Sequence, residues 1–170
     1  GDITTLQVDG IVNAANSGLT GCYSPCHGCI DNAIHTFAGV QLRQECAAMM
    51  KEQGCPEPTG RAKITKAYNL PSRFVLHTVG PIVAGKPSEN DRALLASCYQ
   101  ACLDLAAQHR LKSLAFCCIS TGEFHFPNQE AAEIAVKTVK AYLSAHPDLS
   151  VVFNVFRNED YQIYHQILSR

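Results

Sequence analysis

Two apolar patterns alternate along the chain. Short runs rich in branched or aromatic residues stand at 10–15, 62–68, 74–79, 113–119 and 150–156. Their length and content fit strands buried on both faces. Between them, apolar positions return every three or four residues. Ile30, Ile34, Phe37, Leu42, Cys46 and Met49 mark one side of a helix from 30 to about 51. Leu94, Leu95, Cys98, Cys102 and Leu105 mark a second, behind the capping-box pattern Ser88-x-x-Asp91. Pro127 suits the first position of a third, which carries Ile134, Val139 and Leu143 and has Pro147 just beyond its end. Tyr161, Ile163, Tyr164, Ile167 and Leu168 mark a last helix. Strands alternating with helices predict an α/β fold with a largely parallel or mixed sheet. The loops at 54–60 and 84–90 do not read as linkers, so 1–170 reads as one domain.

Composition narrows the partners. No apolar run approaches the roughly 20 residues of a membrane span. A net charge of −1, a pI near 6.7 and the lack of a basic run argue against a nucleic-acid backbone. Small anions stay open, because backbone N–H groups bind phosphate without net charge. Nine cysteines are many for 170 residues. Most fall on apolar periodic positions, Cys98 and Cys102 on one helix face and Cys117 and Cys118 inside a strand, where a thiol acts as a small hydrophobe. A reducing, cytoplasmic compartment is the expectation.

Three thiols and an imidazole break that pattern. Cys22, Cys26, His27 and Cys29 crowd the loop between Asn13-Ala14-Ala15-Asn16, which leaves a strand, and Ile30-Asp31-Asn32, which opens a helix. Thiolate and neutral imidazole are the donors Zn²⁺ prefers. Cys22, His27 and Cys29 read as C-x4-H-x-C, three donors with a fourth position open; Cys26 stands as an alternative ligand. Cys26-His27-Gly28-Cys29 is also formally a C-x-x-C redox pair, though without a thioredoxin-like context. A second loop, 119–127, again runs from strand through small residues to a helix start, where successive N–H groups suit a diphosphate. Asn13 and Asn16 can serve a ligand at the strand's carboxyl end or simply satisfy a turn.

Gly1-Asp2-Ile3-Thr4, Val12-Asn13-Ala14-Ala15-Asn16, His77-Thr78-Val79-Gly80-Pro81 and Ile119-Ser120-Thr121-Gly122 occur in that order. Together they resemble a macrodomain, the ADP-ribose-binding α/β/α sandwich with a mixed central sheet. The Cys22–Cys29 loop stands where most macrodomains carry a glycine-rich run. It resembles the zinc-dependent macrodomain hydrolases found beside sirtuin-type ADP-ribosyltransferases in microbes. The resemblance also implies a strand ahead of Gly1.

What the resemblance implies for the site can be placed residue by residue. Asp2 accepts from the adenine amino group with the Ile3 backbone nearby, and Phe156 covers the adenine face. Ser120, Thr121, Gly122 and Glu123 cradle the diphosphate. Asn16 binds the distal ribose, Phe124 packs on it, and Asp31 stands beside it as general base or anchor. Zn²⁺ on Cys22, His27 and Cys29 orients that sugar. The implied activity is hydrolysis of the bond between ADP-ribose and a protein side chain. Carboxylate-linked mono-ADP-ribose is the expected substrate, because an ester has the better leaving group. A non-catalytic ADP-ribose reader and an O-acetyl-ADP-ribose deacetylase use the same pocket. The plainer readings beside these are a simple Asp31–His35 pair at i,i+4, a satisfied core histidine at 77, and ordinary core aromatics at Phe124, Phe156 and above all Phe126.

Overall fold

In a computed structural model, which describes residues 1–169, the five apolar runs become five strands. A 3₁₀ turn at Ile3–Thr5 leads into β1 (Gly10–Ala14), α1 (Ile30–Ala38) and α2 (Val40–Gln53). Then come β2 (Ala62–Lys66), β3 (Phe74–Thr78), α3 (Glu89–Gln108), β4 (Ser113–Phe116), α4 (Asn128–Ala145), β5 (Ser150–Phe153) and α5 (Asn158–Leu168). The sheet order is β2-β3-β1-β4-β5. β1 runs parallel to β3 and β4, β4 runs parallel to β5, and β2 is antiparallel to β3. This is the expected mixed-sheet α/β/α arrangement. α1 packs on β1 and on α2, while α3, α4 and α5 pack in series. Right-handed crossovers put those two groups on opposite faces. Chain winding therefore changes sense at β1, and the loops after β1, β4 and β5 open together at the carboxyl edge.

Three local expectations are corrected. The helix from 30 to about 51 is two helices, because Gly39 has φ 93°, a left-handed backbone that ends α1 and turns the chain into α2. Periodicity carried across the break because both pieces bury apolar faces, Ile34 and Ala38 on one, Leu42 and Cys46 on the other. Pro127, with ψ 127°, caps α4 from outside rather than occupying its first turn. Cys117 and Cys118 lie beyond the end of β4, so they turn toward the carboxyl edge. Ser88 and Asp91 do form the reciprocal capping box on α3.

The core is continuous across the sheet. Ile11, Val12, Leu76 and Leu114 are fully buried, and Tyr99 of α3 meets Phe116 of β4 at 4.9 Å between ring centroids. Cys46, Cys98 and Cys102 sit within it as small hydrophobes. Among the described residues, no helix is long and apolar enough to cross a membrane.

Candidate active site

A cavity of about 700 Å³ opens at the carboxyl edge, within the range of small-ligand sites. The structure brings into its wall Asp2 and Ile3, Asn16, Cys22, His27, Cys29 and Asp31, the run 120–124, and Phe156; Asn13, also offered as a ligand-facing amide, is instead wholly buried behind Asp31.

The metal-type donors converge. The ligand atoms of Cys22, His27 and Cys29 all lie within 4.8 Å of one another, and Cys22 Sγ is 3.5 Å from His27 Nδ1. Tetrahedral zinc with ordinary Zn–S and Zn–N bonds separates its donors by about 3.5–3.8 Å, so the set fits that ion. Cys26 is exposed at φ 55° and stands outside the converging group. Cys29 also caps α1, its Sγ accepting from the Asn32 amide at 3.4 Å. That amide favours the thiolate, but burial outweighs it and pushes the Cys29 thiol up. The Ser24 amide holds the Cys22 thiol below its ordinary value. His27 Nε2 faces Glu123 Oε1 at 3.5 Å, leaving Nδ1 as the nitrogen turned toward the thiols.

Asp31 stands in the first turn of α1, 5% exposed. Burial raises its carboxyl pKa, and the Asn13 carboxamide, which donates to Oδ1 at 2.8 Å, partly offsets this. Asn13 Nδ2 also lies 3.1 Å from His77 Nδ1. His35 is buried beside them, its Nε2 3.6 Å from Asp31 Oδ1. Desolvation keeps His35 neutral down to about 4, so this is a contact and not an ion pair. Asn16 closes the loop: it donates to the Gly21 carbonyl at 3.3 Å and accepts from the Gly18 amide at 3.0 Å.

The second loop presents unpaired backbone amides. Phe126 N–H donates to the Ser120 carbonyl and His125 N–H to the Gly122 carbonyl, folding residues 120–126 into a tight turn. Among the described residues, the N–H groups of residues 121–124 make no backbone hydrogen bond. Ser120 and His125 take φ 65° and 57°, the αL turns that align successive amides. Gly80 lies so close that a Cβ there would sit 2.0 Å from Ser120 Oγ, which explains the glycine in the His77–Pro81 motif. At the other end Asp2 holds Thr4 through Oδ1, by its amide at 2.9 Å and its hydroxyl at 2.7 Å. Phe156 stands at the rim, 82% exposed, whereas Phe126 is core.

Sequence reasoning missed Asn13 as the partner of Asp31, and Arg43, which reaches from α2 over the Tyr23 ring at 4.5 Å. Asn13 had one signal, a polar residue inside a buried strand run. Arg43 had none.

Fold and cavity define a class: an α/β sandwich with a turn of unpaired backbone amides, an exposed aromatic ring at the rim and a soft-donor cluster at one sheet edge. The Macro domain family model matches residues 12–135. Over 99% of its length the chain is 61% identical to a protein-ADP-ribose hydrolase of Treponema medium, and over all of it 55% identical to one of Staphylococcus aureus. It spans 65% of each relative's length. An Oceanobacillus iheyensis macrodomain solved with ADP superposes with a TM-score of 0.91 at 40% identity, over 99% of this chain and 87% of that one. The chain belongs to the Macro domain family.

Proposed function

We propose that this macrodomain is a zinc-dependent hydrolase that removes mono-ADP-ribose from protein side chains, with the carboxylate ester as preferred linkage. The observation that carries the reading is the meeting of Cys22, His27 and Cys29 with Asp31 in the wall of one cavity that also holds the 120–124 turn. The hydrolase names of the Treponema and Staphylococcus relatives support it.

In this reading the amides of 121–124 and the α4 N-terminus bind the diphosphate, Asp2 and Phe156 hold the adenine, and Asn16 and Phe124 hold the distal ribose. The sugar's anomeric carbon is thereby set beside Asp31. Zinc on Cys22, His27 and Cys29 would supply Lewis acidity there, moderated by two thiolate charges. Asp31 takes the proton as water oxygen bonds to the anomeric carbon. The C–O bond to the side-chain carboxylate breaks, the carboxylate leaves with the electron pair, and free ADP-ribose remains. Two thiolate donors suit a reducing, cytoplasmic compartment.

The test combines metal content with turnover. Protein purified under reducing conditions is expected to hold about one zinc per chain, and ADP-ribose release from a mono-ADP-ribosylated protein is expected to stop on chelation and in C29S. Zinc with tight ADP-ribose binding but no release on any linkage would make the domain a reader. Release of acetate from O-acetyl-ADP-ribose alone would make it a deacetylase. Protein without metal would return the cluster to its thiol readings.

A further inference from the structure

Behind Asp31 lies a buried polar chain that the cavity does not use. In the sheet register Asn13 of β1 pairs with His77 of β3, so their side chains leave the same face side by side. Both are wholly buried. Asn13 Nδ2 lies 2.8 Å from Asp31 Oδ1 and 3.1 Å from His77 Nδ1. His77 Nε2 lies 2.9 Å from Thr65 Oγ1, and that hydroxyl is 3.5 Å from the Val75 carbonyl.

With Asp31 ionised, the chemistry of these groups leaves one assignment, in which Asn13 Oδ1 is a buried oxygen without a hydrogen-bond partner. An ionised carboxylate only accepts, so Asn13 must turn its NH₂ toward Asp31. The second amide hydrogen then points at His77 Nδ1, which has to accept it. Nδ1 is therefore unprotonated, Nε2 carries the hydrogen and donates to Thr65, and Thr65 donates on to Val75. A charged imidazolium would set N–H against N–H. Burial removes that possibility by holding His77 neutral down to about 3.

We propose that Asn13, oriented by the Nε2–H tautomer of His77, is the positioning residue for Asp31, fixing Oδ1 so that Oδ2 is the oxygen turned to the sugar. This rests on the hydrolase reading in one respect only, that Asp31 works on the substrate. The same pocket of side chains has a rival use, because ligand atoms of His35, Cys46 and His77 also lie within 4.8 Å of one another. A metal on His77 Nε2 would force the hydrogen onto Nδ1, against the Asn13 amide. The hydrogen-bond chain therefore argues for positioning, and the two uses predict opposite tautomers.

Four measurements test this. In the protein as purified under reducing conditions, ring ¹⁵N spectra should give His77 as the neutral Nε2–H tautomer. N13L and H77F should lower kcat about ten- to hundredfold while ADP-ribose Kd stays within about threefold. H77Q, whose carbonyl can accept from Asn13, should keep most of the activity. In a D31A background N13L should cost nothing further. If H77F does not fold, T65V takes its place, since it removes the acceptor for Nε2–H without changing shape. An Nδ1–H tautomer, a second tightly bound zinc per chain, unchanged kcat in N13L, or losses in kcat, affinity and Tm together would each overturn the proposal. Wild-type protein that binds zinc but releases no ADP-ribose would sink the hydrolase reading by itself. Asn13 would then be judged by its side-chain NH₂ resonances, which D31A must shift if the pairing is real; no shift overturns it.

Discussion

Gly21→Ala should destabilise the protein by an amount the geometry allows to be worked out. Gly21 takes φ 89°, and a Cβ there would lie 2.7 Å from His35 Cγ and 2.8 Å from Cδ2. The His35 side chain is 0% exposed, so it cannot swing into solvent. Left-handed backbone costs an L-residue roughly 1–2 kcal/mol. Overpacking a ring that must yield adds about 1–3 kcal/mol. The sum, about 2–5 kcal/mol, leaves a protein of ordinary stability folded but lowers Tm by roughly 4–20 °C. Gly21 also carries the carbonyl that Asn16 holds and precedes Cys22, so zinc affinity should fall about 10- to 100-fold, as when other supports of a metal ligand are lost. Urea unfolding with and without zinc reads the first effect, and competition against a chelating dye reads the second. A paired measurement in H35A separates the causes: without the ring, G21A should cost only the backbone part, about 1–2 kcal/mol. G21A within about 0.5 kcal/mol of wild type, or an equal penalty in both backgrounds, would refute the argument that His35 braces this loop.

Three further outcomes follow. Phe156→Ala should weaken ADP-ribose binding roughly 5- to 100-fold by calorimetry with Tm unchanged, because an exposed ring at the rim contributes stacking and not core; unaltered affinity would deny Phe156 any part in binding. Gly80→Ala should weaken ADP-ribose binding by displacing Ser120, and G80A/S120A should restore part of it; equal affinities in wild type and G80A would deny that contact. His35 and His77 are held neutral to about 4 and about 3, below the unfolded value near 6.5, so the unfolded chain binds the extra protons in that window. Stability is therefore full above about pH 6.5 and falls as pH drops toward 4, by roughly 1 kcal/mol per pH unit from each histidine. In chelated protein H77Q should remove about half of that slope; a slope unaffected by H77Q would mean His77 already takes up protons in the fold.

Strand positions, the alternation with helices and the Cys22–Cys29 cluster were legible because each rests on neighbours in the chain: burial on both faces, 3.6-residue periodicity, and donors a few residues apart. The ordered motifs, read through the family resemblance, named residues that the fold brings to the wall of one cavity. What periodicity could not resolve was the break at Gly39, since both helices bury apolar faces and only the left-handed φ of one residue separates them. The ends of β4 and α4 were misplaced by the same kind of local ambiguity, at Cys117 and at Pro127.

Tertiary structure alone decided which groups meet. Asn13 touches Asp31 across 18 positions and His77 across 64, and Gly80 gives way to Ser120 from a different strand's loop. Gly21 owes its lack of a side chain to the ring of His35. Residue type carries chemistry and short-range periodicity carries secondary structure. The partner of a buried polar group is set by sheet register and helix docking, which sum weak contacts over the whole chain. So the donor cluster could be read from one loop, while the hydrogen bonds that hold Asp31 in place appear only once β1, β3 and α1 have packed.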